Sequence, residues 1–206
     1  MLLNLENLVK KYNLKIKGVI HIGAHYGEEN SVYDNINISN RMFFEPLKNN
    51  FSKLVENVGE KYELFNLALG NQNKIVTMNV ETANNGQSSS ILKPHIHLFQ
   101  YPHIKFESTE DVQMNRLDDL SIDIQKYNFI NIDVQGYELE VFKGSTKTLE
   151  NIDYIMTEIN RDEVYENCAK IDELVSFLKN YNFELVEQSW EGITWGDGFF
   201  IKKQIV

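Results

Sequence analysis

Short apolar runs recur along the chain at Ile16–Ile22, Met42–Glu45, Glu63–Leu69, Phe129–Val134, Tyr154–Ile159, Phe183–Glu187 and Phe199–Ile201, and each predicts a buried strand. Between them, apolar positions three and four apart predict helices over Glu28–Asn35, Lys48–Asn57, Leu117–Gln125, Tyr137–Leu149 and Ile171–Asn180. In the last of these, Ile171, Leu174, Val175 and Leu178 share one face. A further amphipathic helix is expected within residues 1–15, where Leu2, Leu5, Leu8 and Val9 are interrupted by Asn, Glu and Lys. Strands alternating with helices predict a mostly parallel sheet with helices on both faces. The C-terminal stretch FELVEQSWEGITWGDGFFIKK, two apolar runs about a Gly- and Trp-containing turn, predicts a closing β-hairpin.

The segment Glu81–Glu110 breaks this rhythm, with NNGQSSS followed by KPHIHLFQYPHIKFE. Loops beyond ~12–15 residues in compact domains often bind or cover ligands, so residues 81–110 are expected to form a long loop or lid. No repeat or linker divides the chain, and residues 1–206 are expected to form a single domain.

Composition narrows the class. With 42% hydrophobic and 24% charged residues the chain is globular, and its formal charge of -10 opposes approach to a phosphate backbone. Nucleic acid is therefore not the expected partner. Cys168 is the only cysteine, which excludes an intramolecular disulfide and suits a reducing compartment. No apolar block has the length of a signal-peptide core or a membrane span, so the chain reads as cytoplasmic with no membrane span.

The candidate chemistry lies where strands end. GVIHIGAHYGEE, Gly18–Glu29, runs a strand into Gly23-Ala24-His25-Tyr26-Gly27, where glycines permit positive φ and close approach of backbone N–H groups to a ligand. Glu45 ends the next strand in MFFEP, where a carboxylate can accept both ribose hydroxyls of a nucleoside cofactor. The GxGxxG spacing of a dinucleotide site is absent, which disfavours a nicotinamide-dependent dehydrogenase. In FINIDVQGYELEVFKGS, Phe129–Ser145, Asp133 closes a strand and Gly136 opens a helix, placing Asp133 either in the ligand crevice or as a helix cap. Glu138 and Glu140 are expected on the exposed face of that helix.

These residues resemble the FkbM family of class I S-adenosylmethionine-dependent methyltransferases. The matching pieces are HIGAHYGEE, FFEP, NLALGNQN (Asn66–Asn73), SSSIL (Ser88–Leu92), RLDDL (Arg116–Leu120) and, most specific of all, IDVQGYELEVFKGS (Ile132–Ser145). Their order and spacing cover nearly the whole chain from Gly18 to FFIKK. The resemblance implies an α/β, Rossmann-like, seven-stranded mostly parallel sheet in the order 3-2-1-4-5-7-6 with the last strand antiparallel. It also implies S-adenosyl-L-methionine as cofactor: Gly23, Ala24, His25 and Gly27 about its methionine part, Glu45 on the ribose, Ala68 near the adenine and Asp133 beside the sulfonium. The loop with Ser88–Ser90 would cover the cofactor and meet the acceptor. Where many class I enzymes carry an acid two positions before Gly23 this chain has His21, which leaves the methionine amino group to Glu28 or Asp133.

Methyl transfer is an in-line displacement, so such a protein mainly aligns an acceptor and excludes water, with a base for a hydroxyl acceptor. Asp133, Glu158 and His25 are the candidate bases, followed by His95, His97 and His103. Ser89, Trp190 and Trp195 are candidates for acceptor binding, the tryptophans by stacking on a sugar ring or by packing at the sheet edge. Asp133, Glu158 and Asn160 could hold a divalent metal and His95, His97 and His103 a zinc ion, but the donor sets are incomplete and no metal is favoured. The expected activity is O-methylation of a sugar hydroxyl on a glycan or nucleotide-sugar. The rival is a cofactor-binding module without turnover.

Overall fold

The computed structural model describes residues 2–203. Its strands are β1 (Gly18–Ile22), β2 (Asn40–Phe44), β3 (Glu63–Phe65), β4 (Ala68–Leu69), β5 (Lys74–Glu81), β6 (Phe106–Asn115), β7 (Phe129–Ile132), β8 (Tyr154–Asn160), β9 (Phe183–Glu191) and β10 (Trp195–Lys202). The helices are α1 (Leu5–Tyr12), α2 (Asn30–Asn35), α3 (Lys48–Val58), α4 (His97–Gln100), α5 (Glu138–Lys143) and α6 (Ile171–Lys179).

The main sheet has seven strands in the order β3-β2-β1-β7-β8-β10-β9. Counting only these strands along the chain gives 3-2-1-4-5-7-6, with β10 antiparallel to both β8 and β9, as the family resemblance implies. Every residue of β1 and β7 is buried, because both faces of a central parallel strand are covered. On one face Leu5, Leu8, Tyr33, Leu54 and Val58, from α1 to α3, pack on Val19, Phe43, Phe129 and Phe199. On the other, Val141, Phe142, Leu174 and Leu178, from α5 and α6, pack on Ile20, Ile22, Ile130 and Ile155.

Several expected elements differ. Glu63–Leu69 is two strands in two sheets, since β4 leaves the main sheet and pairs with β6. Leu117–Gln125 forms two separate 3-10 turns, Leu117–Asp119 and Ile124–Lys126, because Asp118 turns aside to accept bonds from Lys147 N and Thr148 N at 2.9 Å each. The helix expected over Tyr137–Leu149 stops at Lys143, and a 3-10 turn follows at Thr148–Asn151. The stretch 81–110 starts and ends in strand, with β5 running to Glu81 and β6 starting at Phe106. Both belong to a small sheet, β4-β6-β5, whose exposed side chains interrupt any apolar run.

Candidate active site

The strand register sets the site. Ile22 pairs with Phe44 on one side and Ile132 on the other, so β1, β2 and β7 end level with one another. Gly23, Glu45 and Asp133 follow these ends directly, at the carboxyl edge where open α/β sheets bind ligands. Gly23 N and Ala24 N donate to Phe44 O at 3.0 and 2.9 Å, and Asp133 N donates to Ile22 O at 3.0 Å. Gly23 has φ +77°, and a Cβ there would lie 2.0 Å from Asp133 O, so only glycine fits between β1 and β7. Gly27, at φ +79°, gives the same closeness to Val58 and Leu54 of α3, and it supports the turn from behind.

Two adjoining cavities meet at Gly23, His25, Gln87, Asp133 and Gln135. The smaller, about 60 Å³, is an apolar slot between Leu47, Ala68, Leu69, Met78, Ile91 and Tyr137, with Glu45 and Ser89 at its edge. The larger, about 560 Å³, is walled by His21, Glu28, Glu29, Glu158 and Trp195 among others. No lysine or arginine lines either cavity among the described residues.

Glu45 is buried and accepts His25 N and Leu47 N, each at 2.9 Å. Burial pushes its carboxyl up to about 7, against the pull of those two backbone donors. A carboxylate has room for further bonds beyond these two, so two ribose hydroxyls can be accepted without displacing them.

At the other end, the Gln135 Nε2 donates to Asp133 Oδ1 at 2.6 Å and to Glu158 Oε2 at 2.9 Å. Gln135 itself sits at φ +55°, in a turn held by Glu138, whose Oε1 accepts Val134 N at 3.0 Å and Gly136 N at 3.1 Å. Glu138 is thus buried, not on the exposed helix face: its side chain folds back to pair the N–H groups of the strand-to-helix turn. Burial, then the negative charge of Asp133, raises its carboxyl to about 7. Glu158 is pushed well above the ordinary carboxyl range by burial, followed by the charges of Asp133 and Glu138. A proton on Glu158 relieves the repulsion between two carboxylates bridged by one amide. Neither Gln135 nor Glu138 stood out as a site residue in the sequence. The signal that could have found them is the QG pair directly after a strand, which marks a left-handed turn.

His25 lies at φ +47°, with Nδ1 2.7 Å from Glu28 Oε1 and Nε2 3.0 Å from Asn85 O. Both partners only accept, so both ring nitrogens donate. Burial lowers the His25 pKa, but the Glu28 carboxylate and the Asn85 carbonyl outweigh it and the net shift is upward. With both ring nitrogens engaged in this way, neither is left to take a proton from an acceptor. His25, expected among the bases, is placed as a strap between the glycine turn and residue 85. His21 is buried, with Nδ1 3.2 Å from the Tyr33 hydroxyl, and burial lowers its pKa. Beside it Glu28 and Glu29 both line the larger cavity.

Trp195 lines the larger cavity and donates from Nε1 to the Tyr101 hydroxyl at 2.9 Å. Trp190 does not line either cavity; its ring lies under the Arg161 guanidinium at 3.6 Å and packs on the core. No group of three or more His, Cys, Asp or Glu side chains among the described residues is arranged to hold a metal.

The family model of the methyltransferase FkbM domain matches residues 21–185, from the end of β1 into β9. The chain belongs to the FkbM methyltransferase family. This methyltransferase is 27% identical over 185 residues, 85% of its chain and 75% of the relative's, to the 2-O-methyltransferase NoeI of Sinorhizobium fredii. Its fold is similar to that of Sp1610 of Streptococcus pneumoniae, described as a candidate tRNA (m1A22) methyltransferase and solved with S-adenosyl-L-methionine (TM-score 0.55, 13% identity, 100% of this chain and 75% of that one). It is also similar to magnesium protoporphyrin IX methyltransferase of Synechocystis with the same cofactor bound (TM-score 0.53, 10% identity, 97% and 76%). Proteins described by such different acceptors share this fold, so the likeness shows the fold alone and does not identify the acceptor. The donor set here fits S-adenosyl-L-methionine: a glycine cradle, a carboxylate beside an apolar slot, and acidic walls for a cationic sulfonium.

No helix among the described residues is long and apolar enough to cross a membrane.

Proposed function

We propose that the protein methylates a sugar hydroxyl on a glycan or nucleotide-sugar, with Asp133 as the base that receives the hydroxyl proton. Bound there, S-adenosyl-L-methionine would supply a methyl group on positively charged sulfur for displacement by the acceptor oxygen, with S-adenosylhomocysteine as the leaving group. Gly23, Ala24 and the His25 backbone support the methionine part, Glu28 and Glu29 its amino group, Glu45 the ribose, and Ala68 with Leu69 the adenine face.

The observation that carries this reading is the position of Asp133. It is the partly exposed member of the bridged carboxylate pair, and it faces the space where the two cavities join. Glu158 is fully buried behind it, held toward its protonated form and bonded through Gln135 and Asn160, which suits a positioning role. The Ser89 hydroxyl accepts Glu81 N at 3.0 Å and lines the slot beside Glu45, which supports a role on the cofactor side for it in place of the expected acceptor contact. The similarity to a 2-O-methyltransferase supports oxygen as the accepting atom.

The test is incubation of the protein with S-adenosyl-L-methionine carrying an isotopic methyl label and a panel of neutral glycans and nucleotide-sugars, read by mass spectrometry. Label is expected on a sugar oxygen. Cofactor binding with no turnover across the panel would favour the module without catalysis, and label confined to nitrogen would overturn the O-methyl reading.

A further inference from the structure

The far wall of the larger cavity has no role in holding the cofactor, and it is made of rings. His97, on α4, is buried at 4% exposure and packs against Tyr101 at 5.1 Å, Phe106 at 5.4 Å and Tyr165 at 5.5 Å between ring centroids. Its Nδ1 is sealed from solvent with no hydrogen-bond partner among the described residues. Buried polar atoms are normally paired, and a ring caged this tightly cannot swing out to find a partner. Burial lowers the His97 pKa, which favours the neutral ring, and with Nδ1 sealed it is Nε2, without a hydrogen bond among the described residues, that is left to meet a ligand where His97 lines the cavity.

Tyr101 and Trp195 continue the wall. The Tyr101 oxygen accepts the Trp195 indole N–H, which leaves its own O–H free to donate. A rigid aromatic surface carrying a few uncommitted hydrogen-bonding groups suits a ring with an apolar face and hydroxyl edges.

The charges lining the same space exclude the other acceptor classes. The carboxylates of Glu28, Glu29 and Asp133 line this cavity, and among the described residues no lysine or arginine does. His25, whose pKa is shifted upward, already has its Nδ1 on Glu28 at 2.7 Å. A phosphate entering here would meet carboxylates and leave its own charge unpaired, which is costly in a partly desolvated site.

We infer that His97, Tyr101 and Trp195 form the acceptor subsite, and that it takes an uncharged sugar ring in preference to a nucleotide-sugar or RNA. This rests on the reading of the protein as a sugar O-methyltransferase and narrows the acceptor within it.

The experiment is saturation-transfer NMR with S-adenosylhomocysteine present, using as probes the methyl glycosides of glucose, galactose, mannose and fucose, then UDP-glucose, then a short single-stranded RNA. The proteins are wild type, His97→Asn and Tyr101→Leu, each checked by its affinity for S-adenosylhomocysteine. At least one glycoside should bind wild type, and both variants should lose about fivefold or more of that affinity while holding S-adenosylhomocysteine within about twofold. UDP-glucose and RNA should give no signal that the glycoside displaces. Glycoside binding untouched by either variant would overturn the subsite and leave the sugar reading standing. Displaceable binding of UDP-glucose or RNA stronger than that of any glycoside would overturn the preference for an uncharged acceptor. No glycoside binding to wild type would overturn both the subsite and the sugar reading beneath it.

Discussion

Glu45 accepts the backbone N–H of His25 at 2.9 Å, which ties the end of β2 to the glycine turn after β1. The same carboxyl is raised by burial to about 7. Ribose hydroxyls donate best to an ionised carboxylate, so the bound state should favour loss of the proton. Below about 7 the free protein must give up that proton to bind, and affinity should therefore rise with pH through this range and level off above it. For one group of this kind the gain from pH 6 to pH 8 is about tenfold in the dissociation constant. Calorimetry of S-adenosylhomocysteine binding in two buffers of different ionisation heat checks it. Glu45→Gln should bind more weakly and lose the pH slope; a wild-type affinity independent of pH would remove Glu45 from the ribose site.

Gly23 cannot carry a side chain. At φ +77°, with a built Cβ only 2.0 Å from Asp133 O, Gly23→Ala must push β1 and β7 apart at the ligand edge or abandon the turn. Backbone strain of this type alone costs about 1–3 kcal/mol, and the clash with another backbone adds to it. The variant should unfold at lower denaturant and lose more than about tenfold in cofactor affinity. Near-normal values of both would show that the turn has another conformation open to it.

Glu138 makes two backbone bonds that no other group can make, to Val134 N and Gly136 N. Glu138→Ala leaves both N–H groups unpaired in a buried turn and should cost about 2–3 kcal/mol in urea unfolding. Glu138→Gln keeps an acceptor oxygen and should cost less. The pH trend tests the raised pKa itself. A carboxyl that goes from its ordinary value unfolded to about 7 folded stabilises fully below the unfolded value, and that stability is lost as pH rises through about 7. The deficit of Glu138→Gln against wild type should therefore shrink between pH 5 and pH 8. A deficit that grows would mean the ionised form is the one the turn prefers.

The sheet was legible because its central strands are continuous apolar runs: Gly18–Ile22 and Phe129–Ile132 are buried at every position, and such runs show in any window. β5 and β6 were not legible. Lys74, Ile75 and Thr77 of β5 are exposed, so the strand alternates weakly and has no apolar block. Glu45 and Asp133 could be read from their places at strand ends. Gln135 and Glu138 could not, because their roles depend on a left-handed turn that folds a helix residue back onto the preceding strand. Trp190 and Trp195 flank the same hairpin turn in the sequence; their places in the fold, one under Arg161 and one beside Tyr101, separate them.

Asp133 remains the residue on which the chemistry is proposed to turn. Its Oδ1 accepts the Gln135 amide at 2.6 Å, and Glu158 accepts the same amide at 2.9 Å, so the pair is held by one donor. Asp133→Asn keeps the size and much of the shape but removes the negative charge and the ability to take a proton. If Asp133 is the base, turnover on a glycan acceptor should fall at least about 100-fold, the lower range for general-base catalysis. Melting temperature should change little, because the amide oxygen introduced by Asp133→Asn can still accept the Gln135 Nε2–H while Gln135 keeps its bonds to Glu158 and Tyr165. Glu158→Gln should behave differently: it removes a carboxyl that must take up a proton on folding at neutral pH, so the protein should become more stable there while turnover falls less. An Asp133→Asn variant with near-normal turnover on the same acceptor would reduce Asp133 to a structural partner of Gln135. The base would then be sought on the acceptor side of the cavity, where His97 is neutral and caged.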